Sequence, residues 1–307
     1  MDIEELRTFV EIADAGGISA AALRLGVSKS IVSRRLVRLE EDLGVQLLSR
    51  TTRGAALTEA GRTFRNHALR ACAEIDVARE ATRASEHLSG RLRITAPASI
   101  GLTHIAPMLA EMARRHPMLQ LQTAYSDHIA DLINEGFDCA IRIGFLQDSN
   151  LIARRVGAIH ATLVASPSYI AAYGAPKTPA ELLTHQALLR GVECWQIMDG
   201  ARPVTVRPQG RFKADSCAAL VAAAVAGLGI ACLPDVLIRE QLDTGMLVPV
   251  MRDYPVPPVG AYVVRPPGQY PARKLRVLTD LLAEQFEKVL PPPRVPHFAT
   301  QLDVARC

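Results

Sequence analysis

The stretch SAAALRLGVSKSIVSRRLVR, residues 19–38, decides the fold of the N-terminal part of the chain. Within it, Ala22, Gly26 and Val32 stand four and six residues apart. This spacing meets three steric demands of a helix-turn-helix: a small residue where two helices cross, a glycine in the turn, and an apolar anchor. The stretch therefore predicts two short helices, the second of which is presented to duplex DNA.

The face of that second helix opposite its apolar residues is polar and basic. Between Arg24 and Arg53, seven arginine and lysine residues stand against three acidic ones. Arg34 is the best candidate for bidentate contact with guanine, and Lys29 and Ser33 could reach bases or phosphates. The candidate DNA-binding residues are Ser28, Lys29, Ser30, Ser33, Arg34, Val37, Arg38, Arg50, Thr52 and Arg53. The alternative is a structural three-helix unit with solvated arginines, but charge, caps and turn spacing together favour DNA binding.

The flanking patterns complete a winged domain. Asp2 caps a first helix, a second helix covers residues 20–25, and Ser28 caps a third helix that Gly44 ends. Residues 45–48 and 55–57 predict a hairpin with a polar tip, which we interpret as a wing. Arg50 and Arg53 on this wing suit contact with phosphates or the minor groove.

A long helix is expected next, from Thr58 to about Ser89. Its small and apolar positions alternate by four and three residues, as in a coiled coil, at Phe64, Ala68, Ala71, Ile75, Ala78 and Thr82. At 1.5 Å per residue the segment would span about 45 Å, more than a small DNA-binding domain requires. We expect this helix to be a linker through which two copies dimerise. Because small alanine side chains make a weak coiled-coil seam, we also expect further dimer contacts elsewhere in the chain.

Beyond Gly90, short strands alternate with helices, which is typical of a parallel sheet covered by helices. Strands are expected at 92–95, 119–122, 139–143, 161–165 and 229–233, and helices up to 115, up to 135, at 217–226 and at 271–289, with a helical turn at 180–184. The fold class expected is therefore α/β, with two lobes in about 200 residues. The predicted domains are a winged domain at 1–60, a linker at 58–89, a two-lobed domain at 90–290 and a loosely ordered tail at 291–307. Lobe I would comprise about 90–160 and 266–290, and lobe II about 161–265.

Several segments resemble the LysR-type transcriptional regulators. Besides residues 19–28, these are VSR (32–34), LEEDLGV (39–45), RTTR (50–53) and LTEAG (57–61), while LVASP (163–167) and AGLGI (226–230) are similar to parts of that family's effector domain. The resemblance implies a two-lobed effector domain built like a periplasmic binding protein, and a dimer of dimers joined by paired linker helices. It also implies that a small molecule changes DNA bending and transcription, and it suggests RNA polymerase as a further partner. Lys29-Ser30 departs from pairs such as Gln-Pro or Pro-Ser, which leaves the base preference at these positions open.

A two-lobed α/β domain binds ligands at the carboxyl ends of its strands, where helix N-termini offer N–H groups. The candidate effector-binding residues on this argument and on the resemblance are Ser99, Ile100, Ser126, Asp127, His128, Gly144, Phe145, Asp215 and Ser216. Ser99 and Ser216 are expected to converge on one ligand from the two lobes, unless both only cap helices. Asp215 would repel an anion, so the charge of the effector stays open.

Other kinds of site have little support in the sequence. It lacks nucleophile and phosphate-loop motifs, paired histidine spacing and Cys-x-x-Cys pairs, so we expect no enzyme, no cofactor and no metal. Cys217 with Cys194 leaves a redox-responsive protein as an alternative, and an architectural DNA-binding protein without an effector is another. The first residues do not resemble a signal peptide, and no apolar run approaches about 18 residues, which favours the cytoplasm over a periplasmic transport receptor.

Overall fold

The structure, a computed structural model, describes residues 1–51, 54–82, 88–146, 148–191, 194–267 and 272–289. They form two compact units, one built on residues 1–88 and the other holding residues 89–130 and 137–267. No helix within the described ranges is long and apolar enough to cross a membrane.

The N-terminal unit contains a winged helix-turn-helix, as predicted. Its elements are α1 Ile3–Ala15, α2 Ile18–Leu25, α3 Lys29–Leu43 and the antiparallel hairpin strands β1 Leu48–Thr51 and β2 Gly54–Leu57. Asp2 and Glu5 form a capping box at the start of α1. Gly16, Gly26 and Gly44 end the three helices with φ of +74°, +66° and +66°. Glycine adopts this left-handed conformation without the steric cost that other residues meet, which explains its place at each helix end.

The first wing strand begins later than the sequence predicts. It starts at Leu48 rather than Val45, and the N–H groups of Leu47 and Leu48 donate to a carboxylate oxygen of Glu40 at 2.7 and 3.1 Å. These bonds give two backbone donors at the start of the wing a partner within the chain. The side chain of Glu40 therefore anchors the wing to α3.

The linker helix, α4 Glu59–Thr82, is partly built into the core of the winged domain. Phe64, Ala68 and Ala71 pack in the same cluster as α1, and the Phe64 ring lies 5.6 Å from the ring of Phe9. Ala68 is buried in this cluster, whereas Phe64 and Ala71 are half-buried, so the first half of the predicted row packs within the chain, and its pairing with a second copy stays a prediction. Ile75, further along the same row, is exposed. The predicted extension to residue 89 is not helical at its end, and residues 83–87 lie outside the described part of the chain.

The second unit contains the remaining strands and helices. In chain order these are β3 Gly90–Ala96, α5 Ala98–Ile100, a π-helical turn Gly101–Ile105, α6 Ala106–Arg115, β4 Leu119–Tyr125, β5 Cys139–Ile143, β6 Ile152–Ile159, β7 Ala161–Ala165, α7 Pro167–Tyr173, a 3₁₀ turn Glu181–Thr184, β8 Ala187–Leu189, β9 Trp195–Asp199, β10 Arg202–Val206, β11 Phe212–Lys213, α8 Cys217–Val225, β12 Ile230–Pro234, α9 Asp235–Asp243, β13 Val248–Pro249, β14 Val259–Arg265 and α10 Arg273–Val289.

Two five-stranded sheets form the two lobes, but the predicted boundary at residue 265 is wrong, because β14 Val259–Arg265 pairs with β5 and β6 of lobe I. Lobe I has the strand order β4-β3-β5-β14-β6, and lobe II has the order β11-β8-β12-β7-β13. Helix α10 lies close against lobe I, since a Cβ at Gly157 would come within 2.8 Å of Phe286. In lobe II, Leu220 and Ala224 of α8 pack with Val164 of the sheet. A separate hairpin of β9 and β10 adds Trp195 to the core of the same lobe.

Two details of the α/β prediction are wrong. The sheets are mixed rather than parallel: β14 runs antiparallel to β5 and β6, and β7 runs antiparallel to β12 and β13. These strands carry the chain from one lobe to the other and back, which reverses their direction relative to their neighbours. The predicted helix up to Glu135 is only a turn, because the Asp131 carboxylate accepts bonds from the N–H groups of Ile133 and Asn134, and Gly136 follows with φ of +70°.

Replacing Gly61 with alanine is expected to destabilise the winged domain by about 1–3 kcal/mol. A Cβ there would lie 2.0 Å from the carbonyl oxygen of Leu47, which is a backbone atom. This clash outweighs the advantage of about 1 kcal/mol that alanine has over glycine inside a helix. Urea unfolding measures the change, with Gly17→Ala as the control, because a Cβ at Gly17 meets open space and its φ of 167° is extended. An unchanged unfolding midpoint for Gly61→Ala would contradict the prediction.

Candidate nucleic-acid interface and effector cleft

Helix α3 presents one polar face to solvent and buries the other. Val32, Leu36 and Leu39 are buried against α1 and α2, which confirms the predicted apolar stripe. The predicted DNA-contacting side chains of α3 lie on the opposite side, where Lys29, Ser30, Arg34, Val37 and Arg38 are exposed and Ser33 is half-buried. Val37 is 47% exposed, so an apolar group stands among polar ones on this surface. We refer to these six residues as the α3 face.

The first turn of α3 is held by hydroxyl groups. Ser28 accepts a bond from the N–H of Ile31 at 3.4 Å, and its hydroxyl lies 2.8 Å from that of Ser30. The N–H groups that begin the helix point outward from this turn, and helix N-termini bind anions such as phosphate. Ser28 thus has a capping role that is independent of any contact with DNA.

Contacts with α1 fix the orientation of the α3 face. Arg35 points towards α1. It donates to the hydroxyl of Thr8 at 3.2 Å and lies 3.4 Å from the carboxylate of Glu4. Two adjacent arginines therefore have different environments: Arg35 ties α3 to α1, whereas Arg34 is exposed. Periodicity distinguishes them only roughly, because they differ by one helical step of about 100°.

The wing is described only in part. Arg50 lies in β1 opposite Ala55 of β2, so its backbone follows the predicted hairpin. Thr52 and Arg53, at the tip of the wing, lie outside the described residues.

The candidate effector residues of lobe I gather at one edge of their sheet. Because β3, β4 and β5 run parallel, the loops that follow them meet at their common carboxyl end. These loops carry Ser99 and Ile100 after β3, Ser126 to His128 after β4, and Gly144 and Phe145 after β5. Ile100 is buried, Ser99 and Ser126 are half-buried, and Phe145 is 60% exposed.

The first N–H of α5 already has a protein partner. Asp127 accepts a bond from the N–H of Ala98 at 3.0 Å, so a carboxylate of the protein already occupies this helix N-terminus. Ser99 lies inside α5, whose cap position is Pro97, so Ser99 is not a cap. Ser126 accepts a bond from the N–H of His128 at 3.2 Å, which shapes the loop. The polar atoms at this edge mostly bond to each other.

Asp215 and Ser216 precede α8 in lobe II, as predicted, but they do not act as the capping argument supposed. Ser216 occupies the N-cap position, yet its side chain makes no cap hydrogen bond. Asp215 is exposed and Ser216 is half-buried. Asp215 and Ser216 lie in lobe II, whereas Ser99 and Asp127 lie in lobe I, which has a separate sheet. The two pairs of residues can therefore contact one ligand only through the packing of one lobe against the other. Two surface cavities, of about 440 and 360 Å³, lie along α9 and between α3 and α4 rather than at these loops.

One interaction between the lobes, that of His104 with Arg239, was not predicted from the sequence. His104 lies in the π-helical turn that follows α5, and Arg239 lies on α9 of lobe II. Burial, and then the nearby charge of Arg239, lower the pKa of His104. Single π-helical turns are rare and often lie at functional sites, but the residues 101–105 show no pattern that would predict one.

The redox-responsive alternative invokes Cys217 with Cys194. Cys217 is not in a disulfide, so the two are not bonded to each other in the structure. Complete burial raises the pKa of Cys139, so this thiol is a poor nucleophile at neutral pH. Within the described residues, no group of three or more His, Cys, Asp or Glu side chains is arranged to hold a metal ion.

Comparisons with known proteins match nearly the whole chain. Residues 3–62 match the family model "Bacterial regulatory helix-turn-helix protein, lysR family", and residues 85–287 match "LysR substrate binding domain". A transcriptional regulator from Xanthomonas campestris is 36% identical over 296 residues, which cover 93% of this chain and 86% of that protein. The solved structure of CrgA, a LysR-type regulator from Neisseria meningitidis, is 33% identical, with a TM-score of 0.57 and coverage of 93% and 99%. Full-length AphB, the Vibrio cholerae virulence activator, is 29% identical, with the same TM-score and coverage of 92% and 99%.

Replacing Ser216 with alanine is expected to leave the unfolding free energy of the effector domain unchanged within about 0.5 kcal/mol. The matched variant Ser166→Ala is expected to cost about 1 kcal/mol, because Ser166 is buried and caps α7 by accepting from the N–H of Tyr169 at 3.2 Å. Urea unfolding of both variants checks the difference. Equal destabilisation would show that Ser216 is a structural cap after all.

Proposed function

The chain belongs to the LysR family of transcriptional regulators, and on this premise we propose that the α3 face reads promoter DNA while a small molecule bound between the two lobes modulates transcription. The observation that carries the proposal is the exposure of Lys29, Ser30, Arg34, Val37 and Arg38 on the helix that follows the turn. In a helix-turn-helix, this helix enters the major groove with its N-terminal residues on the base edges.

The candidate DNA-binding side chains suit different kinds of contact. Arg34 is assigned to guanine, since its planar guanidinium matches the O6 and N7 acceptors in the major groove. Lys29 and Ser33 are assigned to bases or phosphates, and Val37 to the methyl group of a thymine. Arg50, Thr52 and Arg53 of the wing are assigned to phosphates or the minor groove. Ser28 and Ser30, whose hydroxyls contact each other, are assigned to phosphate through the first turn of α3.

We assign the second half of α4 to dimerisation. Ile75 is exposed on a helix whose earlier apolar residues are buried within the chain. Pairing of two such helices would place two α3 faces on one side of the dimer, as a protein that reads an interrupted palindrome requires. A tetramer formed from two dimers, and contact with RNA polymerase, are further parts of the proposal that follow from the family.

The effector is assigned to the cleft between the loops of lobe I and residues 215–216 of lobe II. Asp127 already occupies the first N–H of α5, and Asp215 is an exposed carboxylate. These two features argue against a ligand carboxylate at α5. We also propose that the protein acts in the cytoplasm, where promoter DNA lies, and that it regulates rather than catalyses, since the relatives with known roles are regulators.

Footprinting of the full-length protein on the DNA upstream of its own coding sequence tests the proposal as a whole. We expect protection of two half-sites about one helical turn or a small multiple of it apart, and a change in the protected pattern when a metabolite mixture is added. Uniform protection without preferred sites would instead support an architectural DNA-binding protein.

Replacing Arg34 with alanine is expected to weaken binding to the protected site by about 1–3 kcal/mol at fixed salt, because a bidentate guanine contact is lost. Affinity for unrelated DNA should fall much less. Fluorescence anisotropy on both DNAs measures the ratio. The control is Arg207→Ala, which removes the same charge from an exposed position in the effector domain. A parallel loss on both DNAs would reassign Arg34 to phosphate.

Replacing Ile75 with glutamate is expected to raise the dimer dissociation constant of a fragment comprising residues 1–82 by about tenfold or more, because two charges would be buried in the seam. The fragment includes the α4 residues that complete the core, which a fragment ending before Thr58 would lack. Sedimentation velocity measures the change, with Glu74→Ala at the neighbouring exposed position as the control. If Ile75→Glu dimerises like the unmodified fragment, the seam lies elsewhere.

A further inference from the structure

An ion pair shielded from solvent joins α1 to α4. Arg65 Nη2 donates to Asp14 Oδ1 at 2.5 Å, and the side chains of Arg65 and Asp14 are only 13% and 8% exposed. Two further ion pairs of α1 with neighbouring helices, Arg24 with Glu11 and Arg35 with Glu4, have arginines that are 54% and 26% exposed. Charges interact more strongly where water is excluded, and removing one partner of a shielded pair leaves the other without compensation.

Apolar contacts lie beside this pair on the same two helices. Phe64 precedes Arg65 and its ring lies 5.6 Å from that of Phe9, while Ala68, one turn further along α4, is 2% exposed. The ring contact and the buried alanine hold α4 close to α1 but have little directional preference. The ion pair adds direction, because its bond requires the two side chains to meet at one point.

The opposite end of α1 is tied to the DNA-reading helix. Arg35 of α3 donates to the Thr8 hydroxyl at 3.2 Å and lies 3.4 Å from a carboxylate oxygen of Glu4. Helix α1 therefore connects α3, through Thr8 and Glu4, with α4, through Asp14. Because α1 contacts both helices, the direction of α4 relative to α1 also sets its direction relative to the α3 face.

The length of α4 amplifies any such rotation. Its 24 residues correspond to about 36 Å, so a tilt of about 10° moves its far end by about 6 Å, close to the rise of two base pairs. If two copies are joined through the far half of α4, this displacement changes the distance between their two α3 faces.

We propose that the Asp14–Arg65 pair is a positioning joint that sets the distance between the two α3 faces of a dimer, and thereby the half-site spacing that the protein prefers. This inference rests on the proposed function, because it requires a dimer that binds two half-sites through α3 and meets through α4. Neither residue contacts DNA in this proposal. Both act on specificity through the direction of α4.

The experiment compares the full-length protein with Asp14→Asn on a series of duplexes that carry the footprinted half-sites at the native spacing and with one, two or three base pairs added or removed. We expect the unmodified protein to prefer the native spacing over its neighbours by about tenfold, and the variant to reduce this preference to about threefold or less. Affinity for a single half-site should change little, since the α3 face is intact.

A double variant and a control separate positioning from simple destabilisation. Asp14→Arg combined with Arg65→Asp restores an ion pair of opposite polarity and is expected to recover most of the spacing preference. Glu11→Gln breaks the α1–α2 pair on the same helix and is expected to keep the preference of the unmodified protein. Circular dichroism and urea unfolding report whether each variant is folded. If Asp14→Asn does not fold, Arg65→Lys, which keeps the charge but loses the planar donor group, carries the same comparison.

The possible outcomes are distinct. A folded variant that binds every spacing more weakly but by the same factor overturns the inference, because the ion pair then contributes only stability. A flattened spacing profile that the double variant restores supports it. If the unmodified protein does not protect two half-sites, the proposed function itself is contradicted. This footprinting result is obtained before any variant is made, so it is distinguished from a failure of the inference about Asp14 and Arg65.

Discussion

The burial of α1 is the constraint on which the DNA-binding part of this protein depends. Phe9 and Ile12 have no exposed surface, and α2, α3 and α4 all contribute residues to the cluster around them. Each fully buried side chain of this kind contributes about 1.5–3 kcal/mol, far more than an exposed ion pair. Because α3 must direct its apolar stripe towards α1, its other face, with Arg34 at the centre, is left to solvent. The same core also takes up the beginning of α4, which makes the linker helix a continuation of the winged domain rather than a tether.

The effector domain depends on a different constraint, the mixed direction of its two sheets. Parallel strands bring the loops after β3, β4 and β5 to one edge, whereas the strands that carry the chain between the lobes run against them. At that edge the protein satisfies its own donors: Asp127 binds the N–H of Ala98, and Ser126 binds the N–H of His128. A ligand must therefore be recognised by groups that remain available, such as the exposed ring of Phe145, or by exchange with these internal bonds. Because the carboxylate of Asp127 already binds at α5, this helix N-terminus is not a site for an anionic ligand group.

Much of the N-terminal domain follows from sequence because its signals are local. Capping residues, glycines at helix ends and the spacing of Ala22, Gly26 and Val32 each act within a few residues, so they predict the three helices well. The errors concern contacts between distant residues. The first wing strand begins at Leu48 rather than at residue 45, and Glu40 accepts bonds there from two backbone N–H groups. Periodicity identified an apolar row on α4. The same periodicity does not show whether this row packs against another chain or against α1 of the same chain.

The sequence by itself determined the class of the protein, the winged helix-turn-helix at its N-terminus, and which residues of α3 are exposed, because these depend on local steric and hydrophobic patterns that few other folds share. Only the tertiary structure decided that Arg35 ties α3 to Thr8 and Glu4 of α1, and that Ser99 lies inside a helix while Asp127 bonds to its first turn. It also decided that Asp14 and Arg65, 51 residues apart, form a shielded pair. The physical reason is that burial and pairing of charges depend on groups that the chain brings together from far apart, and a pattern within one element does not specify its partner.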